Sequence, residues 1–114
     1  MDANVVYIDF DDGVKRVMNN IKLYTKLMTK FRDSTKLDEL ESSLAAGDLE
    51  KAQIEAHTIK GVAANLSFPE LFKQSLEMET QIKAKSVAPN QLETLKSAFT
   101  QTIIEVEKVI AKNG

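Results

Sequence analysis

The chain has 114 residues, 43% of them hydrophobic, which suits one folded domain with its own core and not a disordered segment. Its 15 basic and 17 acidic side chains give a formal charge of −2, without the basic excess of a general nucleic-acid binder. Cysteine is absent, which excludes a disulfide framework and a thiolate metal site, and no apolar run approaches the ~20 residues of a membrane span.

The start, Met1-Asp2-Ala3-Asn4, is acidic and lacks the basic-then-apolar pattern of a signal peptide, so a soluble cytoplasmic protein is expected. Residues 4–8 are β-branched and read as extended or irregular. Asp9 then caps a short helix over residues 10–18, and Asp12 adds negative charge to its first turn. Asn19-Asn20 breaks this helix and caps a second, to residue 33, with Tyr24, Leu27, Met28 and Phe31 on one face. Ser34 and Thr35 offer a cap for a third segment lined by Leu37, Leu40 and Leu44, and Gly47 serves as its left-handed terminator.

Asp48 caps a fourth helix that reaches Leu66. Its apolar positions, Leu49, Ala52, Ala56, Ile59, Ala63 and Leu66, step by three and four without a defect, the pattern of a bundle seam. Ser67 with Glu70 reads as a capping box and Pro69 fits the first turn of a fifth helix, to residue 85, with Leu71, Phe72, Leu76 and Ile82 in the core. Pro89-Asn90 marks a turn before a last helix to residue 112, with Leu92, Leu95, Phe99, Ile103, Val106 and Ile110 facing inward. Met18, Met28 and Met78 read as core filler. The fold expected is all-α: a single antiparallel four-helix bundle over residues 1–114, with one or two short additional helices towards the N-terminus.

The fourth helix also carries the only histidine, in the run Ala56-His57-Thr58-Ile59-Lys60-Gly61-Val62-Ala63-Ala64-Asn65-Leu66. At about 100° per residue, His57 lies ~130° from the seam direction and Gly61 ~170°, with Ala64 at ~110°, Gln53 at ~90° and Lys60 at ~70° on the same side. His57 and Gly61 are therefore predicted to face solvent. A glycine inside an exposed helix costs about 1 kcal/mol against alanine, and its simplest benefit here is close approach by another molecule. Ala64 continues the low profile. Ile54 also points outward, either as an apolar contact for a partner or beneath the short N-terminal helix. Taken singly, a lone helical histidine is most often an ordinary surface residue and Lys60 a solvated lysine; the outward His57-Lys60-Gly61 group is what points to phosphoryl handling. Lys22, Lys26 and Lys30 form an i, i+4, i+8 stripe that suits either a solvated face or the attraction of an acidic partner surface.

The run from Ala56 to Leu66 resembles the signature of histidine-containing phosphotransfer (HPt) domains, the intermediates of multistep two-component phosphorelays. Tyr7-Ile8-Asp9 followed by Gly13, Arg16, Tyr24, Leu27 and Phe31 is similar to the lead-in of such domains. The resemblance implies a four-helix bundle with His57 as phosphoacceptor, Lys60 as charge support for the phosphoryl group, and Gly61 as the small residue that admits a receiver domain. Gln53, Ile54, Gly61 and Ala64 are then the partner-binding positions. Two departures stand out: Val62 occupies a position often taken by serine, and Ser67 one where glycine is common.

The partners implied are response-regulator receiver domains and a hybrid histidine kinase, with no nucleic acid or membrane and the chain itself a monomer. No cofactor is intrinsic, and the divalent metal is expected in the partner receiver. One histidine without cysteine makes a resident metal site improbable. No nucleotide-binding glycine loop is present, so the chain is expected to be a phosphocarrier without kinase activity of its own. Two other readings of the same surface are a phosphate-independent helical adaptor and the substrate domain of a chemotaxis-type histidine kinase.

Overall fold

A computed structural model describes residues 5–113; the expectations for Met1 to Asn4 lie outside the described residues. Six helices follow one another: α1 (Phe10–Arg16), α2 (Ile21–Arg32), α3 (Lys36–Ala45), α4 (Leu49–Leu66), α5 (Pro69–Lys83) and α6 (Gln91–Asn113). Residues 5–9 are irregular, and no strand forms among the described residues. The long helices α2, α4, α5 and α6 make the bundle. The shorter α3 packs on α4, while α2 leans mainly on α6. No helix is long and apolar enough to cross a membrane.

The caps read from the sequence form at three helices. Asp9 accepts from the Asp12 amide, Asn20 from Leu23 and Asp48 from Lys51, each satisfying an amide with no partner inside its helix. Gly47 takes φ +73°, a left-handed conformation that suits glycine. At α3 the expected pair divides: Ser34 accepts from the Lys36 amide at 3.2 Å, while the Thr35 hydroxyl bonds the Glu39 carboxylate instead of an α3 amide.

The seam of α4 is buried as predicted at Ala52, Ala56, Ile59, Ala63 and Leu66. Three alanines in that stripe let α5 lie close, and α4 and α5 form the most extensive helix pair. Phe31 is central: its ring centroid lies 4.9 Å from those of both Phe68 and Phe99. Such pairs contribute about 0.5–1.5 kcal/mol each beyond their area.

Three expectations fail locally. The Ser67–Glu70 capping box does not form. Ser67 ends α4 at φ 59°, ψ 56°, Phe68 precedes α5 without a side-chain cap, and the Glu70 carboxylate accepts from Gln74. Leu76 is 43% exposed, because the buried stripe of α5 runs Leu71, Ser75, Met78, Ile82 and leaves Leu76 one residue beyond a seat filled by serine. Met18 is 90% exposed, because α1 stops at Arg16 and the chain turns through positive φ at Met18 and Asn19. Met28 and Met78 are buried as expected.

Candidate functional site

The C-terminal end of α4 is fixed by contacts from far along the chain. Tyr24 is fully buried and its hydroxyl donates to the Leu66 carbonyl at 2.5 Å. Ser67 donates its hydroxyl to the Asp12 carboxylate, and its carbonyl accepts from the Asp9 amide at 2.8 Å. Burial, then the charges of Asp9 and Asp12, push the Tyr24 phenol up to about 12. The Ser67 hydroxyl and Arg16, against a smaller opposing effect of burial, hold Asp12 below the usual carboxylate range. Ser67 adopts the left-handed conformation that glycine enters without penalty, which is a reason for glycine to be common at this position; here the bonds to Asp12 and Asp9 hold the serine in it.

Midway along α4 the His57 side chain is 66% exposed, as the seam geometry predicted. Its Nδ1 lies 3.0 Å from Glu79 Oε2 on α5. Glu79 is buried, with its side chain 4% exposed, and it also meets Lys60 Nζ at 2.7 Å and Lys83 Nζ at 3.6 Å. Burial works to raise the Glu79 carboxyl, but hydrogen bonds from Lys60 and His57 and the charges of Lys60 and Lys83 outweigh it and hold the group below the usual range. An ionised carboxylate only accepts, so Nδ1 carries the proton in the neutral ring. The lone pair is then on Nε2, the outer nitrogen. The bond to Glu79 thus orients the ring and selects its tautomer together.

Lys60 is therefore not a free surface cation: its side chain is 22% exposed and its ammonium group is held by Glu79. Gly61 is half-buried, yet a Cβ built on it meets nothing within 4 Å, so the space beyond the helix is open. Gln53 is half-buried. Ile54 is 63% exposed, which excludes its cover by the N-terminal helix. Ala64 is half-buried beside the crevice that α1 forms with Asp12 and Arg16, so it borders α1 as well as the open face.

The sequence reading missed Glu79 and Lys83. The available signal was a carboxylate on the apolar stripe of α5, four residues after Ser75 and three before Ile82, followed at i+4 by a lysine. Among the described residues no three metal-ligating side chains converge on one site.

The arrangement is a nucleophilic nitrogen turned outward on a rigid helix, two ammonium groups against one carboxylate beside it, and cleared space one turn on. That is suited to receiving an anionic electrophile carried by another large molecule. No curated protein and no solved structure matches the chain. The Hpt domain family model matches residues 27–107, which takes in α4 with His57 and α5 with Glu79 and includes Leu27 and Phe31 of the lead-in but not its earlier residues. A match over this much of the chain, on a helical bundle with an outward histidine, means that the chain belongs to the Hpt domain family, the phosphocarrier modules of histidine phosphotransfer in two-component phosphorelays, whose partners are response-regulator receivers.

Proposed function

We propose that this chain is a cytoplasmic phosphorelay intermediate, a single domain in which His57 Nε2 takes a phosphoryl group from one receiver-domain aspartate and returns it to another. The observation that carries the reading is the exposed His57 ring with Nδ1 held by buried Glu79, one turn from the open space over Gly61.

In the forward step the Nε2 lone pair attacks the phosphorus of an aspartyl phosphate. A P–N bond forms, the P–O bond of the mixed anhydride breaks, and the electron pair leaves on the receiver's carboxylate. The imidazole becomes more cationic as the bond forms, and Glu79 beside Nδ1–H stabilises that charge. Lys60 and Lys83 exceed the single charge of Glu79 by one and favour the incoming phosphoryl anion. The divalent cation that neutralises the acyl phosphate belongs to the receiver. Attack by a receiver carboxylate on the phosphohistidine reverses each step. The sequence has no nucleotide-binding glycine loop, so the donor in this reading is a receiver and not ATP.

The test is incubation with a radiolabelled, phosphorylated receiver domain. Acid-labile label should appear on the wild type and be absent from His57→Gln; equal labelling of the two would remove His57 from its role.

A further inference from the structure

A groove of about 400 Å3 opens between α2 and α4 and reaches α6, on the flank of α4 away from Lys60 and Glu79. Leu27, Phe31, Ile59, Leu66 and Phe99 line it, and all but Leu27 are buried core residues. The groove is therefore a gap cut into the core and not a flat patch on its surface. A volume of about 300–1,000 Å3, apolar walls and a few polar groups that fix orientation are the marks of a small-molecule site.

The polar groups are unevenly placed. Lys30, Ser34 and Lys36 come from the end of α2 and the start of α3, where the Ser34 hydroxyl accepts from the Lys36 amide at 3.2 Å. That leaves the hydroxyl proton of Ser34 to donate. This end offers two ammonium groups, and no acidic side chain lines the groove. Lys36 Nζ leans towards Glu39 at 3.5 Å, while Lys30 is exposed and makes no ion pair among the described residues. Thr58 and Asn65, the other polar residues along the groove, carry no charge. Charge thus selects an anionic head, and the walls select a hydrocarbon body. Size follows by proportion: a cavity of about 150 Å3 accepts benzene, so this one accepts roughly fifteen non-hydrogen atoms.

We propose that the groove binds a free aliphatic monocarboxylate of about ten to twelve carbons. Its carboxylate meets Lys30 and the Ser34 hydroxyl, and its chain lies over Phe31 and Ile59 towards Phe99. Thr58 and Val62, at the groove, directly follow His57 and Gly61, so the guest rests against the helix that carries the acceptor. The binding itself does not depend on the chemistry of His57.

The test is calorimetry and methyl NMR of the full chain with decanoate. Decanoate should bind one-to-one with a submillimolar dissociation constant and shift the methyl groups of Leu27, Ile59, Val62 and Leu66. Decylamine, of equal length and opposite charge, should bind at least about tenfold more weakly. Lys30→Glu should weaken decanoate about tenfold, because a repulsion replaces an attraction. Lys22→Glu, the same charge change on α2 outside the groove, should leave it unchanged. Both lysines are exposed, so neither variant endangers the fold. His57→Gln should bind decanoate as the wild type does, even if the relay reading fails. Absence of saturable binding, equal binding of decylamine, or equal losses in the two lysine variants would overturn the site. So would methyl shifts confined to the crevice of Val6 and Val109. A wild-type dimer with the groove methyls at its interface, or a receiver that shifts those methyls when decanoate shifts none, would assign the groove to that occupant and overturn the proposal.

Discussion

Glu79→Ala removes the acceptor of His57 Nδ1–H and the counter-charge of Lys60 in one step. A hydrogen bond to a charged group contributes about 1.5–3 kcal/mol, and about 1.4 kcal/mol is a factor of ten in an equilibrium. Because the His57 ring is 66% exposed, the lower end applies, and the bond biases the ring towards the Nδ1–H tautomer about tenfold. Nitrogen NMR of the neutral imidazole should find Nδ1 protonated and Nε2 bare in the wild type, with a mixture in Glu79→Ala. Labelling by phosphoramidate, a small donor whose P–N bond breaks as ammonia leaves, should slow by about twofold, because a ratio falling from about ten to one towards one to one lowers the reactive tautomer fraction from about nine-tenths to about a half. Glu79→Gln should fall between the two, since one amide oxygen must serve two donors, Lys60 and His57. A wild-type ring bearing its proton on Nε2 would refute the assignment of Glu79 as the positioning residue. So would an unchanged tautomer ratio in Glu79→Ala.

The same carboxylate makes stability depend on pH. Its pKa in the fold lies below the ordinary 4.5, so the unfolded chain binds more protons in the window beneath that value. The stability this contributes is complete above about pH 4.5 and is lost as pH falls through the folded-state value. Urea unfolding from pH 7 downward should show the wild type losing its advantage over Glu79→Gln in that window; a constant difference would contradict the buried ion cluster.

Three further outcomes are expected. Gly61→Ala should raise stability by about 1 kcal/mol in urea unfolding, because the added methyl meets nothing, whereas Gly61→Gln should slow transfer from a receiver and leave phosphoramidate labelling unchanged. Gly13→Ala should cost about 1–3 kcal/mol or more, since its Cβ would fall 2.1 Å from the hydroxyl oxygen of fully buried Tyr24, and loss of α1 should be visible by hydrogen exchange. Tyr24 ionises near pH 10.0 when unfolded and at about 12 when folded, so stability should decline above pH 10 and the Tyr24 phenolate should appear in the ultraviolet together with unfolding.

The helices were legible where sequence periodicity and local caps agree. The α4 seam requires only the step of three and four, and Asp9, Asn20 and Asp48 bond amides three residues on. Ser67 shows the limit. Its spacing to Glu70 fits a capping box, yet its hydroxyl bonds Asp12, 55 residues earlier in the chain, and its backbone closes α4 instead of opening α5. Glu79 was hidden for a related reason. Pattern reading sends a carboxylate to solvent, whereas this one is buried because three cationic or proton-donating partners converge on it, two of them on another helix. Glu55 repeats the lesson on α4: it is buried and accepts from Ser43 at 2.6 Å across the α3–α4 contact.

The glycines at 13 and 61 separate what the fold requires from what a partner requires. Both lie inside helices, where glycine is unfavourable by about 1 kcal/mol against alanine. At Gly13 the cause is internal, because the Tyr24 ring that ties α2 to the end of α4 occupies the place of the missing Cβ. At Gly61 nothing in the molecule occupies it. A methyl there would add helix propensity without a clash, so the fold alone gives no reason for glycine. The proposed function supplies an external one: a receiver would come within contact of the α4 backbone one turn past His57. A small phosphodonor can reach Nε2 from other directions and does not need that clearance. A receiver domain, whose bulk would come down over the imidazole with the aspartyl phosphate, would need it.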